Sequence, residues 1–209
     1  MRSPFTTALV LTLALVLAAA PARAGEPMDQ LKAQVDRVLK LIDDPSLKDK
    51  PKDKRVAVRK IADDIFDFGE TAKRSLGRHW AARTEAERDE FVKLFGDLLE
   101  RSYISKIELY GGEKIVYSGE RVDADLATVS TRIMTKNGTE VPVDYRLFKR
   151  SDRWMIYDVS VEGISLVSNY RTQFNKIIQT NGYNGLVEKM KTKQTEFAEE
   201  EAQKKKVKN

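Results

Sequence analysis

The chain is 209 residues long, carries 37 Lys and Arg against 32 Asp and Glu for a formal net charge of +5, and has no cysteine. That length suits one ordinary domain with a real core. The missing thiols exclude a disulfide framework and thiolate metal sites, and a basic excess this mild, with both signs interspersed, excludes the footprint of a nucleic-acid binder.

The chain begins with Arg2, an apolar run over residues 5–20, and Ala22-Arg23-Ala24 just before Gly25. A positive start, a short apolar stretch and a small-x-small site make residues 1–24 a secretory signal peptide. The run is too short for a membrane span, and no cysteine follows it to take a lipid. The mature chain is expected to start near Gly25 and to be soluble outside the cytoplasm.

Met28, Leu31, Val35, Val38, Leu39 and Ile42 recur at three- and four-residue spacing, the mark of an amphipathic helix. Asp43-Asp44-Pro45 ends it, and a polar loop leads to Pro51. A second helix over residues 52–66 buries Val58, Ile61, Ala62 and Ile65, and a short third one closes near Gly77. Thr84 with Glu87 forms a capping box that opens the longest helix. It runs to about residue 110, burying Phe91, Leu94, Phe95, Leu98, Tyr103 and Ile107, until Gly111-Gly112 stops it.

The period then changes from helix to strand. Residues 114–117, 128–135, 141–148 and 154–161 read as four strands. Asn137-Gly138 is a hairpin turn between the second and third, and Ser151-Asp152 turns the third into the fourth. Consecutive strands joined by tight turns make an antiparallel sheet. Helices follow over residues 166–180 and 184–191, while residues 192–209 are nearly devoid of apolar side chains and read as a disordered charged tail. Residues 25–191 are thus one α+β domain with helices on one face of the sheet.

Alternation places Val129 and Ile133 on one side of the second strand, and Val141, Val143, Tyr145 and Leu147 on one side of the third. In the fourth strand it selects Tyr157, Val159 and Val161, with Asp158 and Ser160 opposite. Such an apolar face is either a filled core or the wall of a pocket. Alternation does not separate the two.

Three stretches resemble the MlaC family, the toluene-tolerance proteins that serve as periplasmic phospholipid-binding subunits of an ABC-type lipid transport system. The first is LGRHW at residues 76–80 with the helix TEAERDEFVKLFGDLLERSY at 84–103. The second is YGGEKIVY at 110–117. The third and most specific is YDVSVEGISLVSNYRTQF at 157–174, followed by NGYNGLVEKM at 181–190. The resemblance implies an NTF2-like α+β fold, with a curved four-stranded antiparallel sheet and helices on one face enclosing an apolar cavity.

It also implies a cofactor-free periplasmic carrier that holds a glycerophospholipid by its acyl chains. The carrier would shuttle the lipid between an outer-membrane lipoprotein–porin complex and an inner-membrane ABC transporter complex, maintaining outer-membrane lipid asymmetry. By the same resemblance, the apolar face becomes the acyl wall (Val129, Ile133, Val141, Val143, Tyr145, Leu147, Tyr157 and Val159). Tyr103 and Ile107 on the long helix, with Ile164 and Val167 after the fourth strand, close it. Tyr170 sits at the mouth.

Other chemistries fit less well. His79 is the only histidine and has no ligand-spaced partners for zinc. Ser165 lacks the G-x-S-x-G elbow of a hydrolase, and Asp63, Asp64 and Asp67 read as a solvated helix face and its end. No phosphate-binding loop supplies energy. A hopanoid or other polycyclic lipid is an alternative cargo. An isomerase of NTF2-like shape is an alternative function, with Asp158 or Asp144 as its base, although alternation points both away from the inner face. A module that binds only protein partners would have that face packed shut.

Overall fold

The structure is a computed structural model that describes residues 26–48, 50–108 and 110–208, without the side chains of 104–108, 200–202 and 204–208. The signal peptide and the expected new terminus at Gly25 lie outside the described residues. Helices α1 (Glu26–Ile42), α2 (Pro51–Ile65), α3 (Phe68–Leu76) and α4 (Glu85–Glu108) precede strands β1 (Lys114–Asp123), β2 (Leu126–Met134), β3 (Glu140–Arg150), β4 (Arg153–Val161) and β5 (Ile164–Ser165), and α5 (Leu166–Lys208) follows. The sheet is an antiparallel meander in the order β1-β2-β3-β4-β5. The α+β class is as expected. The sheet has five strands rather than four, because two residues after a tight turn pair back onto β4.

Local chemistry explains the boundaries. The Thr84 amide donates to Glu87 Oε2 at 2.8 Å and the Glu87 amide to Thr84 Oγ1 at 3.2 Å, the reciprocal cap read from the sequence. Asp67 caps α3 by accepting the Glu70 amide at 2.7 Å. Gly182 interrupts α5 with φ 71° and ψ 175°, a conformation that glycine adopts at little cost. Beyond residue 191 the chain continues as helix to Lys208, where a disordered tail was expected. Gln194 fastens the start of that extension by donating to Asp97 Oδ2 on α4 at 3.0 Å.

Two apolar cores result. In one, α3, α4 and α5 close around Phe91, Phe95, Phe174, Leu186 and Met190. In the other, α1 and α2 cover the sheet through Leu31 and Ile65, against Ala127, Val129, Leu147, Trp154 and Ile156. The short β5 leaves most of the β4 edge unpaired, and neighbouring segments stitch it. Gln30 exchanges two hydrogen bonds with the Trp154 backbone, the Asp67 amide donates to the Ile156 carbonyl, and the Thr71 hydroxyl to the Tyr157 carbonyl. An otherwise open edge is thereby covered.

Candidate lipid-binding face

The strand register sets the inner face of the sheet in rows. One row holds Ile115, Ile133 and Val141; the next holds Tyr117, Thr131, Val143 and Val161; the next, Val129, Tyr145 and Val159; the last, Ala127, Leu147 and Ile156. Burial falls along these rows. Val129 is 0% exposed and Leu147 1%, whereas Ile115, Ile133 and Val141 are only half-buried and Val161 is 43% exposed. The strip is therefore sealed under α1 and α2 at one end. It opens toward the β2–β3 and β4–β5 hairpins at the other.

Alternation places Val159 and Val161 correctly on β4 but fails at Tyr157, where the strand is bulged. Arg146 pairs with Asp158 and Leu147 with Ile156, so Tyr157 has no partner on β3. One extra residue exchanges the faces on either side of it. Trp154 and Ile156 point inward before the bulge, and Val159 and Val161 after it. Tyr157 itself turns to the outer face, stacked under the Arg74 guanidinium 4.0 Å from its ring centroid. There it lines a shallow open depression of about 210 Å³ with Arg121, Leu126, Thr128 and Arg146. Its expected place on the acyl wall is corrected.

Two other expected positions also differ. Ile164 is 67% exposed beside Val161 at the tip of the β4–β5 hairpin, not inside the protein. Tyr170 lies in the helical core, 4.9 Å from Phe95 and 5.4 Å from Phe174 between ring centroids, rather than at a mouth. Burial pushes its phenol up, helped by nearby Tyr103, with a hydrogen bond to Ser102 opposing. Val167 is buried, and its amide donates to Asp158 Oδ1 at 2.9 Å. Tyr103 packs half-buried on the helical core. Ile107 is in the last turn of α4, where side chains are outside the described residues.

Ile115, Tyr117 and Thr131 also stand on this face, beyond the expected positions. Their signal is in the chain, since Ile115 and Tyr117 alternate in phase with Ile133 once the pairing is known. Tyr117 packs on the sheet core, yet its hydroxyl oxygen is buried without a hydrogen-bond partner. Desolvation pushes this phenol well above its usual range, with Tyr145 and Asp36 adding to the effect. Tyr145 is raised by burial too, opposed by a hydrogen bond with Thr131. Both phenols are neutral at pH 7 and able to donate.

The acidic groups considered for catalysis are engaged elsewhere. Asp158 is 3% exposed; its carboxylate accepts Arg146 Nη1 at 2.9 Å, Ser165 Oγ at 2.6 Å and the Val167 amide. It thereby anchors the first turn of α5, where negative charge is favourable. Asp144 accepts the Ser130 hydroxyl at 2.6 Å on the outer face. His79 Nε2 sits 3.0 Å from Asn175 Oδ1 and ties the end of α3 to α5. Among the described residues no cluster of three or more acidic or histidine side chains is placed for a metal, and no helix is long and apolar enough to cross a membrane.

Comparison with known proteins agrees with this architecture. The MlaC protein family model matches residues 32–192. The chain is 26% identical over 120 residues to the intermembrane phospholipid transport system binding protein MlaC of Haemophilus influenzae, covering 55% of this chain and 56% of that one. It is 23% identical over 134 residues to the toluene tolerance protein ttg2D of Pseudomonas putida, covering 60% of each chain. The matches thus span little more than half the length of these relatives. A solved structure of the phospholipid-binding protein from Ralstonia solanacearum, in complex with a phospholipid, superposes with a TM-score of 0.75 at 27% identity, covering 83% of this chain and 99% of that one. With the family model spanning the long helix, the whole sheet and the first part of α5, this chain belongs to the MlaC family.

Proposed function

We propose that this protein is a periplasmic carrier of glycerophospholipid. It holds the acyl chains against the inner face of the sheet and passes the lipid between an outer-membrane lipoprotein–porin complex and an inner-membrane ABC lipid transporter, sustaining outer-membrane lipid asymmetry. The reading rests on likeness to a protein solved with a phospholipid, over 83% of the chain. The apolar strip that opens at one end agrees with it. No residue is assigned a catalytic role, since Asp158 and Asp144 are held by other groups.

The physical demand on such a carrier is large. Moving about thirty methylenes from a bilayer into water costs roughly 0.8 kcal/mol each, more than 20 kcal/mol together. A protein wall as apolar as the bilayer removes most of that cost, so transfer between sites becomes nearly thermoneutral. Direction then comes from the partners at either membrane.

Native mass spectrometry of protein purified from the periplasm without detergent, followed by lipid extraction, tests the reading. A bound mass matching a diacyl phospholipid supports it. A hopanoid mass keeps a carrier and changes its cargo. A protein that is free of lipid and also refuses added phospholipid overturns the proposal.

A further inference from the structure

We infer that the Tyr117 hydroxyl is a hydrogen-bond donor to an ester carbonyl of the bound lipid, and that this contact favours acyl-ester over alkyl-ether glycerolipids. The inference rests on the carrier reading above and adds a residue that decides cargo.

Position comes first. Tyr117 stands in the inner-face row with Thr131, Val143 and Val161. That row lies between the sealed end at Ala127, Leu147 and Ile156 and the half-open end at Ile115, Ile133 and Val141. A glycerolipid is apolar along its chains and becomes polar where each chain meets its ester. A chain lying along the strip brings that junction to a row whose β1 and β2 positions carry hydroxyls and whose β3 and β4 positions are apolar.

Satisfaction comes second. Thr131 donates to the Val143 carbonyl at 3.0 Å, Tyr110 to the Glu113 carbonyl at 2.8 Å, and Tyr183 to the Glu87 carbonyl at 2.9 Å, whereas among the described residues the buried hydroxyls of Ser75, on α3, and Tyr117, on the inner face of the sheet, have no partner. A buried donor left unpaired is destabilising, whereas phenylalanine would fill the same space without that penalty. Tyrosine at this place is accounted for by an acceptor that arrives from outside the chain. An ester carbonyl is a strong acceptor. An ether oxygen is a weak one, and it matches the carbonyl in neither direction nor charge.

The test compares binding of a diacyl phosphatidylcholine and its dialkyl-ether analogue, with equal chain lengths, to the delipidated full-length mature protein and to its Tyr117→Phe variant. The wild type is expected to favour the ester lipid by roughly two- to ten-fold, the span of one neutral hydrogen bond. Tyr117→Phe is expected to bind both alike, with a thermal unfolding midpoint in the lipid-free state unchanged or raised. An equal ester-to-ether ratio in the two proteins overturns the inference, and so does a lowered midpoint, which would mean the hydroxyl serves the fold. If the wild type binds neither lipid, the carrier reading itself falls.

Discussion

Around Phe91 the three helices close on one another through aromatic rings, whereas on the sheet burial fades from one end to the other. In the helical core Phe91 meets Phe95, Phe174 and Tyr183 with centroids 5.9, 5.6 and 6.4 Å apart, at mixed stacked, edge-on and tilted angles. Such contacts fill space and add about 0.5–1.5 kcal/mol per pair beyond the area they bury. The sheet core is complete beneath α1 and α2 but not near the hairpins. A core that serves only the fold is finished on all sides. On the proposed carrier reading, the open end of the sheet face is where the lipid enters.

The largest effect that follows is on stability. Phe91→Ala is expected to cost about 3–5 kcal/mol in denaturant unfolding, because a fully buried ring leaves a cavity among rigid neighbours. A loss below 1 kcal/mol would mean the helical core is as incomplete as the open end of the sheet. Asp158→Ala comes next, at about 1–3 kcal/mol, since it strands the Ser165 hydroxyl and the Val167 amide at the join between the two regions. Hydrogen exchange in the first turn of α5 should rise with it. Unaltered exchange there would show that the carboxylate does not hold the helix to the sheet.

Alkaline pH separates the regions more finely. Desolvation, with the charges of Glu87 and Glu90, pushes the Tyr183 phenol up to about 12 from an ordinary 10.0, while Arg83 pulls the other way. Between those values the unfolded chain binds fewer protons than the folded one. The stabilisation is therefore complete below pH 10 and is lost as pH rises toward 12. Tyr183→Phe should flatten this alkaline decline, and at pH 7 should cost about 1 kcal/mol for the bond to Glu87. An unchanged alkaline slope would place the titration on other tyrosines. The smallest change is expected at the hairpin tip, where Ile164→Glu should alter stability by no more than about 0.5 kcal/mol, because the side chain is already largely in solvent. A loss above 2 kcal/mol would put Ile164 inside the protein after all.

The helices were legible because their information is local. The spacing of Met28, Leu31 and Val35, the Thr84–Glu87 box, and the stop at Gly111-Gly112 each act within a few residues. The inner faces of β2 and β3 were legible for the same reason, since strict alternation in Val141, Val143, Tyr145 and Leu147 needs no partner to be read. The length of β1 was not. Its second half, with Ser118 bulged and Glu120 to Asp123 mostly polar, is strand because β2 pairs with it.

Tertiary structure alone decided the rest. A bulge at Tyr157 is a property of how β3 and β4 register, and one residue of slip reversed the faces on either side of it. Tyr170 and Ile164 followed the same logic from opposite directions. A tyrosine was drawn into the helical core by Phe95 and Phe174, and an isoleucine was carried out by a two-residue turn that puts Glu162 at φ 50° and Gly163 at φ 81°. The amino-acid sequence by itself determined the first four helices, the centres of β1 to β4 and that one face of the sheet is apolar, because propensity and periodicity are short-range. Which end of that face stays open, and which hydroxyl on it lacks a partner, depends on contacts between residues far apart in the chain, and only the packed fold specifies those.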